Sequence, residues 1–565
     1  MLSLRSRLGT PRYGPNGGST PWHVLSSKAV RSALALVLLA GLLTVFFSYS
    51  THTSVTNPPL EAAHSLANAI TEGAQGIVAP SKGRLHLLIP ATSSNADLCK
   101  LLLSAHILGY PTPILLNFGD VENLEDPYVQ HLAKVQGIQD YLQKIETASE
   151  YGEDLVLIID GYDLWFQLRP DVLIKRYYAV NKAANQRTEE MYGPEIAAAK
   201  EMKQTVLFGP DKICWPIDYS RPACWAVPGS NLPYYAFGPQ SSRGREELNH
   251  PIWLNSGTIM GPVQDLMEVF RATLEEIHNN HTTDSDQFYF ANIFGTQEFA
   301  RLQNSEELMA KRKSLRYGYE FDLPEEEITR QEPEIRNEQK TEYHIGIDYA
   351  STLFQTLAFW KQYLTWVREI DGWMPPNGQS ALYYPGLSSS PYNFRIGRDV
   401  HESSPPYYAT RNPDGNGDSG AHPSWSEVQL LYNVISSEAP VIIHFTGEKP
   451  YRQYWWQRMW FQTRAEELRL ANLPHSSDAL SPEPIEGLTW FNAEASETDD
   501  IANHGKGGAF DDRGGYLGWR RLCALHEDEI YHIPDQAFFH PPPEEEEEEQ
   551  PVQQDIVEAA GLPDA

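Results

Sequence analysis

Five apolar residues in a row, Leu155-Val-Leu-Ile-Ile159, end abruptly on Asp160-Gly-Tyr-Asp163. A short run with no polar break suits a strand buried on both faces of a mostly parallel sheet. In open α/β sheets, ligands sit beyond the carboxyl ends of the strands. Asp160 and Asp163 are therefore expected at the rim where a ligand would lie. Two hard oxygen ligands there suit a divalent ion carrying phosphates, Mg²⁺ or Mn²⁺. Gly161 permits the tight turn that brings the two acids together. A lone pair of acids at this spacing is more often a solvated turn.

The chain has 565 residues, 41% hydrophobic and 11% aromatic, enough for a large core and more than one structural unit. Its net charge of −31 argues against nucleic acid or anionic lipid as a partner. Four cysteines without a C-x-x-C pair exclude a disulfide-built scaffold and argue against structural zinc. Cys214 and Cys224 bracket a short loop and are well placed to pair in an oxidising compartment. Cys99 reads as core packing on a helix rather than as a partner of Cys523.

Residues 1–31 are basic and free of acids, as a cytosolic tail would be. The apolar stretch 32–49 then has about the minimum length for a spanning helix. The charge asymmetry around it predicts a type II signal anchor with the bulk of the chain lumenal. A cleaved signal peptide is the rival, weakened by the long basic leader. The short span suits an endoplasmic reticulum or Golgi membrane. Residues 50–83 read as a flexible stem, 84–475 as the folded domain, 476–540 as a C-terminal extension and 541–565 as an acidic disordered tail.

Within the folded domain, buried-strand patterns at 85–91, 113–118 and 155–159 alternate with helices at 97–108 and 127–148. That alternation predicts a doubly wound α/β fold. Thr92-Ser-Ser-Asn95 carries capping chemistry for the first helix and Gly109 its stop. Ile252–Gly261 reads as a strand broken by a small polar turn, followed by a helix over 263–277. The sequon Asn280-His-Thr282 is consistent with a lumenal surface. Residues 305–341 read as an inserted, exposed helix and loop, and 361–435 as a second insertion. Pro440-Val-Ile-Ile-His444 is the last clear buried strand.

Four segments carry one chemistry: Asp160-Gly-Tyr-Asp163, Leu254-Asn-Ser-Gly257, Asp286-Gln287 and His444-Phe-Thr-Gly-Glu-Lys449. Singly each has a plain explanation: a core histidine, a solvated lysine, a turn asparagine, a helix-capping aspartate. In this order, over about residues 84–455, they resemble the GT-A glycosyltransferase domain of procollagen lysyl hydroxylases. Val206-Leu-Phe208 with Cys214-Trp-Pro216, and Ile347-Asp348 through Leu353-Phe-Gln355, look similar as well. No hydroxylase domain follows, and the two insertions, the anchor and the acidic tail depart from the pattern.

The resemblance implies a Rossmann-like GT-A fold, a UDP-sugar donor and Mn²⁺, with Mg²⁺ as the second candidate. Asp160, Asp163 and His444 would bind the metal and the diphosphate. Thr92 and Lys134 would lie near the nucleotide, and Asn255 and Gly257 would face the donor sugar. Gly447 and Lys449 belong to the loop over the phosphates, where Lys449 would add positive charge. Asp286 is the candidate for orienting the sugar or deprotonating the acceptor hydroxyl of an unidentified glycan or protein. Trp253 would stack on a sugar or pack in the core. Two rivals stay open. One is a phosphohydrolase, whose strand-end acids would lie two apart rather than three. The other is a catalytically inactive lumenal binding or scaffold protein.

Overall fold

The computed structural model describes residues 81–119, 127–148, 153–279, 285–371, 394–409, 423–447, 449–472, 478–493 and 505–532. The anchor, the sequon and the acidic tail lie outside them. Among the described residues no helix is long and apolar enough to cross a membrane.

The run Leu155–Ile159 forms β3, fully buried, and it lies at the middle of a nine-stranded sheet. Its neighbours are β1 (Ser81–Pro90), parallel, and β6 (Trp253–Pro262), antiparallel. Beyond β6 come β5 (Val206–Asp211), antiparallel to it, and β7 (Ile345–Ile347), parallel to β5. On the far side of β1 lie β2 (Ile114–Leu116) and β12 (Leu488–Asn492), both parallel to it. The edge is completed by β13 (Ala509–Asp511), parallel to β2, and β14 (Tyr516–Leu517). The mixed α/β architecture with a mostly parallel sheet is thus present.

Alternation along the strands feeds two cores. Leu85, Leu87 and Ile89 of β1 and Leu155, Leu157 and Ile159 of β3 enter one. Leu88, Val156 and Ile158 enter the other. Both faces are covered, as an unbroken apolar strand requires. The principal helices are α1 (Ala96–Leu108), α2 (Pro127–Ala148), α3 (Pro170–Tyr192), α4 (Val263–Asn279), α5 (Asp286–Leu302) and α6 (Tyr451–Trp456). The cap of α1 is the expected one: the Asn95 side chain accepts from the Leu98 amide, and Gly109 adopts a left-handed conformation at φ 81°.

Four expectations need correction. First, residues 488–517 are no mere extension, since three of their strands sit in the main sheet. The apolar pattern of those strands is too short to announce a core position. Second, Cys99 is bonded to Cys523, with Cα atoms 5.6 Å apart, because the chain returns across α1 near its C-terminal end. The Cys214–Cys224 bridge is present as expected. Third, the polar segment Ser256–Thr258 does not break its strand. It bulges from a continuous β6, so that Gly209 faces Asn255 while Phe208 faces Ile259. Fourth, 305–341 is only partly exposed. Glu306–Lys313 is a helix with one exposed face, its Leu308 and Met309 packing on the core, Arg330 forms a buried ion pair with Glu320, and Tyr317 stacks on Tyr219.

A second, three-stranded sheet stands next to the first. It orders β4 (Leu164–Phe166), β11 (Ile442–His444) and β8 (Phe354–Thr356). Because β4 begins one residue after Asp163, this small sheet carries the distant histidine to the acid turn.

Candidate functional site

The acid turn is shaped by close packing. A Cβ on Gly161 would lie 2.7 Å from the Pro90 carbonyl oxygen, so only glycine fits where the turn crosses the end of β1. The Tyr162 hydroxyl is anchored there. It accepts from the Thr92 and Ser93 amides at 3.0 and 3.1 Å, and it lies 3.1 Å from the Ser93 carbonyl. The turn's other end is held by the Phe445 amide, which donates to the Asp163 carbonyl at 2.8 Å. His444 pairs across the small sheet with Leu164.

Asp160, Asp163 and His444 each offer one ligand atom, and these lie within 4.8 Å of one another. His444 Nε2 is 3.5 Å from Asp163 Oδ1, and the imidazole is almost fully buried. Its Nδ1 is buried without a hydrogen-bond partner. Burial opposes protonation of His444, but Asp163, Asp160 and Asp211 outweigh it and hold the imidazole above its ordinary value. Burial likewise opposes the Asp163 carboxylate, yet His444, Lys449 and Arg452 hold it below the usual range. Gly257 forms the wall opposite. A Cβ there would lie 2.2 Å from His444 Cε1 and 2.9 Å from both Asp160 Oδ2 and His444 Nε2, so only glycine fits against the imidazole. Two carboxylate oxygens and an imidazole around a glycine-walled gap fit a divalent cation of the Mn²⁺ class, which tolerates nitrogen better than Mg²⁺ does.

Behind this cluster runs a chain of charges. Lys134 Nζ lies 2.7 Å from both Asp160 Oδ1 and Asp286 Oδ2. Burial draws the ammonium down, but the two carboxylates outweigh it and raise it above its ordinary value. Asp286 opens α5, and its Oδ1 receives the Gln287 amide and the Ser256 hydroxyl at 2.9 and 3.3 Å. Asn255 braces the bulge from within: its Oδ1 accepts from the Gly257 amide at 3.1 Å, and its Nδ2 reaches toward Asp211 at 3.5 Å.

The predicted residues thus divide. Asp160, Asp163, His444, Gly257, Lys134 and Asp286 come together. Asn255 stands one layer behind. Thr92 lies at the neighbouring strand end, where its carbonyl accepts from Gly119 and its amide holds Tyr162. Gly447, left-handed at φ 68°, packs near Ala358, and Lys449 is exposed on the loop after β11. Trp253 is core: it is buried and donates from Nε1 to the Cys224 carbonyl at 3.0 Å.

Three residues were missed. Asp211 ends β5, where burial pushes its carboxyl up to about 6. It carries the same signal as Asp160, an acid closing an apolar strand, and could have been found by it. Arg452 ties the loop down, with its guanidinium 2.8 Å from Asp97 Oδ2 and donating to the Tyr162 carbonyl. Tyr162 itself was only a letter in the motif. No protein-family model matches the chain. A comparison with curated proteins finds no significant match.

Proposed function

We propose that the protein is a metal-dependent glycosyltransferase that moves a hexose from a UDP-sugar to a hydroxyl acceptor on a glycan or protein. On this reading it works in the lumen of the endoplasmic reticulum or Golgi, held by the 32–49 anchor. The observation that carries it is the meeting of Asp160, Asp163 and His444 from two sheets around the Gly257 wall. The ordered resemblance to a GT-A domain supplies the reaction class.

Asp160, Asp163 and His444 would hold Mn²⁺, which when bound neutralises charge on the departing diphosphate as a Lewis acid. Lys449, exposed on the loop beside Asp163, contributes a further positive charge toward the phosphates. Arg452 fixes that loop against the acid turn. Lys134 keeps Asp160 and Asp286 at a set separation. Both Asp286 oxygens are engaged, one by that ammonium and the other by the Gln287 amide and the Ser256 hydroxyl, which suits a positioning role better than proton abstraction. The bulged amides of Ser256 and Gly257 are both taken within the protein, by Gln287 and Asn255, which makes the wall rigid.

Replacement of Asp163 with Ala tests the assignment. Calorimetry with UDP and Mn²⁺ is expected to show metal-dependent binding by the wild type and its loss in the variant, with the melting curve retained. Unchanged metal-dependent affinity in Asp163→Ala would remove the carboxylate from the site and with it the proposed chemistry.

A further inference from the structure

The Asp160 carboxylate has two oxygens, and they meet different neighbours. Oδ2 is on the side of Gly257 and the imidazole: a Cβ on Gly257 would lie 2.9 Å from it and 2.9 Å from His444 Nε2. Oδ1 accepts a charged hydrogen bond from Lys134 Nζ at 2.7 Å. That ammonium is itself pinned from behind. It lies 2.7 Å from Asp286 Oδ2, and the other Asp286 oxygen is held at the start of α5 by the Gln287 amide and the Ser256 hydroxyl. The Asp160 backbone is fixed as well, its amide donating to the Gly257 carbonyl at 3.0 Å. His444 is steadied through its own sheet. That sheet is braced by the two-stranded sheet of β9 (Leu364–Val367) and β10 (Leu430–Asn433), where Asn433 Nδ2 donates to Gln355 Oε1 at 2.8 Å.

An ammonium has three donors and no acceptor. It claims a carboxylate oxygen and keeps that oxygen from turning to a metal. Charge-assisted hydrogen bonds are roughly twice as strong as neutral ones. This one is also shielded, since only 13% of the Lys134 side chain is exposed. A carboxylate so held offers a cation one oxygen rather than two. Ca²⁺ gathers many oxygens and takes carboxylates in bidentate fashion, whereas smaller ions demand fewer ligands in stricter geometry.

We propose that Lys134 is a positioning residue of the metal cluster: by holding Asp160 Oδ1 it makes Asp160 a one-oxygen ligand and turns the site away from ions of Ca²⁺ size. This rests on the metal-binding part of the proposed function and is independent of sugar transfer.

The test measures Mn²⁺ and Ca²⁺ binding to the full chain without nucleotide, by calorimetry and Mn²⁺ electron paramagnetic resonance, with melting curves for each variant. Asparagine keeps the shape of Asp160, but its one side-chain oxygen must serve the ammonium, which points its NH₂ at the metal position. Asp160→Asn should therefore weaken Mn²⁺ binding by about tenfold or more. Adding Lys134→Met restores the wild-type net charge and frees the amide to turn its oxygen to the metal. The double variant should recover about tenfold in Mn²⁺ affinity over Asp160→Asn. Lys134→Met alone should move the ratio of Ca²⁺ to Mn²⁺ affinity about tenfold toward Ca²⁺. A lysine that serves only the fold predicts additive losses and an unchanged ratio. If the chains with Lys134→Met melt early, Asp160→Asn decides alone, and a loss smaller than about tenfold overturns the proposal. A folded double variant that binds no better than Asp160→Asn overturns it too, as does an unshifted ratio. A wild type that binds neither ion removes the metal reading along with this one, whereas metal binding indifferent to Lys134 removes this one alone.

Discussion

Gly257 has the most exacting position in the site. A side chain there would run into the His444 imidazole and crowd the Asp160 carboxylate. Gly257→Ala should therefore weaken Mn²⁺-dependent UDP binding at least tenfold, while overpacking costs about 1–3 kcal/mol of stability. Paired calorimetry and melting curves check it, and an unaltered affinity would show that the gap is not used. A second prediction concerns His106, whose Nε2 donates to the Arg469 carbonyl at 3.0 Å. Burial lowers its pKa from 6.5 to about 4, only partly offset by that hydrogen bond. In the unfolded chain it protonates near its ordinary value, so the folded state loses stability as pH falls from about 6.5 to 4. Above that window the imidazole is neutral in both states and contributes no slope. The loss should reach of order 1–2 kcal/mol near pH 5. His106→Gln should remove that part of the slope in melts taken from pH 7 to 4.5; parallel slopes would refute the assignment. At this scale much was legible. Asp160 and His444 each close an apolar run and Asp163 stands three residues past the first, and those positions are written in the chain. The bonds of Lys134 were not, because nothing local says which carboxylates a helix lysine meets across the fold.

Among elements, the strands on either side of the acid turn were readable and the last ones were not. β3 announces itself by five unbroken apolar residues. β12 alternates buried and half-buried positions and is bordered by Pro, Gly and Glu, so its place beside β1 follows from tertiary pairing alone. β11 does not join β3 in the large sheet but pairs with β4, so the histidine arrives by a second sheet. The Cys99–Cys523 bridge joins α1 to this C-terminal part. Cys523→Ser should lower unfolding free energy by about 2–4 kcal/mol, as the loss of a bridge closing a long loop does. Denaturant melts measure it. Non-reducing peptide mapping of the wild type should yield two linked pairs, Cys99–Cys523 and Cys214–Cys224; free thiols at 99 and 523 would contradict the structure.

For the whole molecule, the charge asymmetry before residue 50 predicts that only the basic leader faces the cytosol. Protease added to sealed microsomes should trim that leader and spare the remainder. Digestion of the bulk of the chain would reverse the topology and remove both bridges from an oxidising compartment. Inside the folded unit, the two sheets divide the work. The large one supplies Asp160 and Gly257, helix α5 supplies Asp286, and the small one supplies His444 and the loop with Lys449 and Arg452. Neither sheet alone brings Asp160, Asp163 and His444 together.

The pairing of Ser81 with Leu488 also sets an order of events during synthesis. Translation delivers β1 early and its neighbour β12 late, so the Ser81–Leu85 part of that edge stays open while the intervening chain is made. Contacts so distant in sequence form slowly, and an open strand edge invites wrong partners in the meantime. The first strand of the sheet must wait for one of the last, and a nascent chain halted before Leu488 would carry the acid turn on an unfinished frame.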